Sequence, residues 1–156
     1  EDARISGQSG GDLVTVDGLI ARSRGRNTGV LWVSAGTNTD SRATDPRTQY
    51  ALGGFLSLSG LRADSLTGRH FAIARGIYYR QIGRAGPGFL DVPTYLGLSL
   101  ELGNVWDRRR DISFGSARRD GSLFLGLDTL LGPVYLGAGF DDQGRNAFYL
   151  FLGRTF

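Results

Sequence analysis

The sequence predicts an all-β protein: an antiparallel transmembrane β-barrel with eight strands per chain, closed alone or paired as eight plus eight. Three observations carry that expectation. Apolar side chains alternate with small or polar ones at a period of two in several segments, and turn signals rich in glycine separate those segments. No apolar run approaches the roughly 18 residues that a membrane helix needs, so any membrane crossing must be made by strands. At 156 residues, 40% of them hydrophobic and 21% charged, the chain has the size and balance of one folded domain.

Residues 1 to 11 are polar and glycine-rich and read as a flexible N-terminal segment, leaving 12 to 156 as the barrel domain. Four less regular strand-like stretches follow, at 12 to 22, 28 to 37, 50 to 58 and 70 to 82. The clearest alternation runs from Thr94 to Trp106, where Leu96, Leu98, Leu100 and Leu102 interleave with Tyr95, Gly97, Ser99, Glu101 and Gly103. It returns at Leu123, Leu125 and Leu127 and again at Val134, Leu136, Ala138 and Phe140. The chain closes on Phe148, Leu150, Leu152 and Phe156. Turn signals include Arg24-Gly25-Arg26-Asn27, Gly86-Pro87-Gly88, Gly132-Pro133 and Asp141 to Gly144. Short turns alternate with long polar loops, the end-to-end asymmetry of an outer-membrane barrel.

One face of each strand is aliphatic and the other carries Gly, Ser, Tyr and acids. A membrane barrel turns the aliphatic face to lipid, whereas a soluble lipocalin-like barrel or sandwich turns it inward, around an apolar ligand in the barrel case. Alternation alone fits both. Aromatics near strand ends, at Tyr78-Tyr79, Trp106, Phe140 and Phe156, favour the membrane, as does a terminal Phe directly after a strand.

Composition removes several kinds of chemistry. There is no Cys, hence no disulfide, thiolate nucleophile or zinc–sulfur site. Positive charge comes from 18 Arg and no Lys, and net charge is +3. The arginines scatter, with clusters only at Arg22/Arg24/Arg26, Arg108-Arg109-Arg110 and Arg118-Arg119, all in turn-like stretches. That spacing suits solvated loops or lipid headgroups, and no nucleic-acid partner is expected. Gly7-Gln8-Ser9-Gly10-Gly11 fits GxSxG, but a nucleophile elbow needs a strand before and a helix after it. His70 has no second His, and Asp141-Asp142 or Asp107 with Asp111 lack further ligands. No enzyme activity, cofactor or metal is expected.

Several motifs in order resemble the bacterial surface-antigen outer-membrane barrel superfamily, the BamA, TamA and FhaC type, nearest the C-terminal barrel of PlpD-type patatin-like phospholipases. They are Gly53-Gly54-Phe55-Leu56-Ser57-Leu58-Ser59-Gly60-Leu61-Arg62 with Leu66-Thr67-Gly68, then Tyr78-Tyr79-Arg80, then Glu101-Leu102-Gly103-Asn104-Val105-Trp106. Leu131-Gly132-Pro133 and Leu152-Gly153-Arg154-Thr155-Phe156 complete the match, which covers roughly residues 50 to 156. The resemblance implies a bacterial outer-membrane barrel acting as membrane anchor or as a protein assembly or translocation scaffold. Its implied partners are outer-membrane lipid and the barrel assembly machinery; the strand count adds a second copy of the chain, as a homodimer, as an alternative to a barrel closed alone. Gly153 and Phe156 take the place of the C-terminal assembly signal.

It further implies that the loop Leu58, Ser59, Gly60, Leu61, Arg62 folds into the lumen and is tethered by the acid on the strand carrying Gly103, Asn104, Val105 and Trp106. Glu101 holds that acid's place. The superfamily's loop Arg is replaced by Ser59, so either Arg62 substitutes for it against Glu101 or the two are separately solvated; Asp128 and Asp141 are further lumen acids. Superfamily barrels have sixteen strands, so either the sequence is a fragment of a longer barrel or its eight strands must close on themselves or join a second chain, since unpaired edges in lipid cost several kcal/mol per backbone group. A closed eight-stranded barrel would be filled by Tyr95, Phe124, Tyr135, Tyr149 and Phe151. Its role would be structural or adhesive, with its long loops as working surface.

Overall fold

The computed structural model describes residues 2–10, 13–39, 49–85, 92–130 and 132–153. The first three strands are β1 (Asp2–Gly10), β2 (Leu13–Arg24) and β3 (Asn27–Asn38). Two short strands follow, β4 (Tyr50–Leu52) and β5 (Leu66–Gly68). The remainder are β6 (His70–Ala85), β7 (Val92–Trp106), β8 (Arg118–Thr129), β9 (Gly132–Asp141) and β10 (Asn146–Leu152). Eight of them build one antiparallel sheet in the order β1-β2-β3-β6-β7-β8-β9-β10, while β4 and β5 pair only with each other at the neck of a loop.

The sheet therefore holds eight strands, but not the eight read from the pattern. Residues 2–10, expected to be a flexible tail, form β1, in register with β2 from Asp2 opposite Ala21 to Gly10 opposite Leu13. Small residues and glycine give this segment little strand propensity of its own, and pairing with a long β-prone neighbour overrides it. Residues 50–58, expected as a strand of the sheet, enter it nowhere. Gly53 and Gly54 adopt φ of 123° and 103°, which stops β4 after Leu52 and turns the chain onto the sheet.

The sheet is open. Among the described residues β1 pairs only with β2 and β10 only with β9, so the barrel closed by eight strands alone does not form. Bulk supplies the reason: a closed eight-stranded barrel has room only for side chains, and here a whole loop lies against the inner face.

That loop crosses the sheet as a strap. Tyr50 packs on Phe71 and hydrogen-bonds to Thr15 and Val14 of β2. Leu56 clusters with Val30, Ile77 and Phe124, and Leu58 and Leu61 with Ile73 and Leu52. Phe55 sits among Phe124, Tyr135 and Tyr149, with ring centroids 5.5 to 5.9 Å apart. The apolar core of this molecule is the strap and the face beneath it, not a sandwich of two sheets.

Alternation then sorts the two faces. Under the strap, Ser99, Glu101, Ser122 and Phe124 are 1%, 3%, 1% and 2% exposed. On the opposite face Leu98, Leu100, Leu123, Leu136 and Phe148 are 44%, 67%, 54%, 60% and 83% exposed. A protein that hides its aliphatic face would show the reverse.

Candidate functional site

The strap is held at one point by a row of polar groups. Register places Trp32, Arg75, Glu101, Asp120 and Asp141 opposite one another in β3, β6, β7, β8 and β9. All five point to the strap side, because directly opposed residues share a face. Glu101 accepts from the Ser59 N–H and the Ser59 hydroxyl at 2.6 Å each, and from the Ser99 hydroxyl at 2.5 Å. Ser122 and Ser99 hydroxyls lie 2.7 Å apart, extending the network to β8. Asp120 accepts from the Gly60 N–H at 2.8 Å, and its other oxygen has no hydrogen-bond partner among the described residues.

The remaining contacts hold the strap's backbone. Tyr149 on β10 donates to the carbonyls of Ser59 and Leu61, at 2.8 and 2.5 Å. Arg75 donates to the Leu56 carbonyl at 2.7 Å, and its guanidinium lies 4.2 Å from the Trp32 ring centroid. Beneath the tip Gly139 is obligatory, since a Cβ there would overlap the Ser59 carbonyl. Leu56 and Leu58, both fully buried, sit at φ of 58° and 70°, a left-handed conformation that leucine holds only when its surroundings enforce it. Ser59 closes the first of these turns by accepting from the Leu56 N–H at 2.9 Å.

The residues singled out from the pattern fall as follows. Leu58, Ser59, Gly60 and Leu61 are buried in the strap and Glu101 holds it, but the Arg62–Glu101 pair does not form. Arg62 is exposed, and Ser59 itself fills the acid's coordination through backbone and side chain. Asp128 is exposed near the far end of β8, while Asp141 closes on Arg145 at 2.5 Å. Gly103 abuts Ala72 and Ile73, and Val105 packs on the Leu58/Leu61 cluster. Asn104 and Trp106 tie down the β7–β8 loop, donating to the carbonyl and hydroxyl of Ser116 at 2.7 and 3.0 Å. Gly153 donates to Pro133 at 2.9 Å, and Phe156 lies outside the described residues.

His70 is buried with Nδ1 2.8 Å from the Thr37 hydroxyl, and Ser9 of the GxSxG match lies within β1, opposite Val14, far from any strand-to-helix elbow. Among the described residues no group of three or more His, Asp or Glu could hold a metal ion. Asp120, Tyr149 and Arg75 were not anticipated as anchors. The signal for Asp120 was present: extending the period-two pattern of Ser122, Phe124 and Gly126 back by one step puts it on the same face.

The exposed face carries a second ordered feature, a slanted apolar belt. Its upper edge is marked by His70 on β6, Asn104 on β7, Arg119 on β8 and Asn146 on β10, each one side-chain row further along than the last. Its lower edge is marked by the last large apolar residues, Ile20 on β2, Tyr78 on β6, Leu96 on β7 and Leu127 on β8, with Arg22 and Arg80 just beyond. Each edge shifts by three rows, about 20 Å along the strands, over four strand-to-strand steps, about 19 Å, so both slant at about 45°. On β6 ten residues separate His70 from Arg80, about 33 Å along the strand and about 23 Å across the slanted belt.

Fold and site thus define an architectural class: an open antiparallel sheet with an aliphatic outer belt and an inner face carrying its own strap. Compared with known proteins, the chain matches no protein-family model and no curated protein.

Proposed function

We propose that this sheet is wall of a bacterial outer-membrane β-barrel, with the strap in the lumen, acting as membrane anchor or as a scaffold for protein assembly or translocation. It resembles in this the surface-antigen superfamily, nearest the PlpD type. The belt carries the reading. A band about 25 Å tall on strands tilted by about 35 to 45° is what transmembrane barrels present to lipid. The belt here is about 23 Å tall at about 45°, measured from register and residue identity alone. A soluble barrel around an apolar ligand would bury that face.

The two free edges complete the proposal. In lipid each must meet a further strand, because unpaired backbone groups there cost several kcal/mol apiece. A second copy supplies both partners in one step, β1 of each chain against β10 of the other, giving sixteen strands and a lumen wide enough for the straps. The strap then fills space that would otherwise be an open channel.

Two measurements test this. The refolded chain should float with phosphatidylcholine vesicles and resist alkaline extraction; a chain that stays soluble and monodisperse without detergent overturns the membrane reading. Native mass spectrometry from detergent should give twice the 16.8 kDa chain mass. A monomer would overturn the paired wall.

A further inference from the structure

The belt is not uniform. From β2 and β3 across to β6, the large aliphatic residues give way to Gly18, Ala35, Ala72 and Ala74, and the surface dips into a trough of about 560 Å³ that reaches the belt's upper edge at β6 and β7. Its walls are Val16, Val33, Leu102 and Trp106, and its lining is almost wholly apolar. The β7–β8 loop overhangs it, placing Ile112 and Phe114 against the opening while leaving them 50% and 94% exposed. Its volume is in the range of a ligand site.

Charge at the rim selects the occupant. The trough continues under the loop into a smaller pocket bordered by Arg109, and on its other side into a depression bordered by Arg119. Both arginines are exposed and neither forms an ion pair among the described residues. Arg119 faces outward on the upper edge of the belt, two rows inward of Trp106 and directly opposite Leu102. A guanidinium on the edge of a lipid face lies at headgroup level, within reach of an anion there. Segment 107–119 carries five arginines against two aspartates, so its balance is cationic.

Resting on the membrane reading above, we infer that the trough beneath the β7–β8 loop seats an acyl chain of an anionic phospholipid, with its headgroup at the cationic rim to which Arg109 and Arg119 contribute from opposite sides. The loop's apolar tip closes over the chain from above. Trp106, held by Ser116, forms the wall at the interface, where an indole ring is favoured. The β7–β8 loop thereby reads the lipid class of its own leaflet.

The test uses the 156-residue chain in vesicles of equimolar phosphatidylcholine and phosphatidylglycerol with identical acyl chains. Flotation is scored first, then native mass spectrometry counts the lipids retained on release. The wild-type chain should retain phosphatidylglycerol over phosphatidylcholine by about fivefold or more, the scale of about 1 kcal/mol for one rim arginine beside an anionic headgroup. Arg109→Gln with Arg119→Gln should float equally and bring that ratio towards one. Ala72→Phe, which fills the trough, should float equally and retain fewer lipids of both kinds. Equal retention of both lipids by the wild-type chain, an undiminished preference in the double variant, or full retention in Ala72→Phe overturns the lipid seat while leaving the membrane reading intact. A chain that does not float overturns both.

Discussion

The two faces of the sheet use the same backbone and opposite economies of contact. Beneath the strap, position is set residue by residue: Glu101 meets three donors within 2.6 Å, Asp120 meets one, and Gly139 leaves no space for a methyl group. Between the edges of the outer belt no side-chain hydrogen bond sets a position among the described residues, and on the membrane reading only the outline of the belt is constrained, because a fluid solvent fits any aliphatic surface. The inner face should therefore respond to the loss of single atoms, and the outer face to charge and depth.

The largest effect is expected on the outer face. Leu98→Arg puts a charge near the middle of the belt on β7 and should cost about 2 to 4 kcal/mol in vesicle-inserted chain, against about 0 to 1 for Asn146→Arg at the belt's edge on β10. Urea unfolding in vesicles measures both. Equal costs would remove the slanted belt, since only its outline distinguishes the two sites.

On the inner face, Glu101→Ala strands the Ser59 N–H, the Ser59 hydroxyl and the Ser99 hydroxyl and should destabilise by about 1 to 3 kcal/mol. Trypsin should then cut after Arg62 faster than in the wild-type chain, whereas Arg62→Ala should stay within about 0.5 kcal/mol because its side chain is solvated. If the two substitutions matched, the anchor would lie in Arg62 after all. Smaller again is Gly139→Ala, which forces the Ser59 carbonyl off β9 and should cost about 1 to 2 kcal/mol by overpacking, while Gly29→Ala, with open space above it, should be near neutral. Thermal unfolding separates them, and a neutral Gly139→Ala would mean that the strap rides higher than described.

Much of this was legible in the sequence, and the misses have physical causes. The alternation from Leu96 to Leu102 correctly set Glu101 against the strap side, because period two leaves only one choice of face. β1 was not legible, since Ser6, Gly7, Ser9 and Gly10 become a strand only by pairing with β2. Residues 50–58 look like a strand by composition, yet the positive φ values at Gly53, Gly54, Leu56 and Leu58 are imposed by docking. The Glu101 anchor was legible from the strand motif, but its partner was sought in an arginine. A backbone N–H and a serine hydroxyl meet a carboxylate equally well, and backbone donors leave no trace in a sequence. The slant of the belt needed register, which links residues as far apart as Ile20 and Leu127.

The central claim, that the aliphatic belt faces lipid and the strap faces the lumen, is tested most directly by cysteine scanning, which the cysteine-free chain permits without background. Single cysteines at positions 96 to 103 on β7 would carry a spin label, and collision rates with oxygen and with a water-soluble nickel reagent would be measured in vesicles. The account predicts a period of two, with oxygen contact high at Leu96, Leu98, Leu100 and Leu102 and low at Gly97, Ser99, Glu101 and Gly103. Nickel contact at the even positions should be lowest between the belt edges. High nickel contact at the leucines, or oxygen contact peaking at the odd positions, would contradict it.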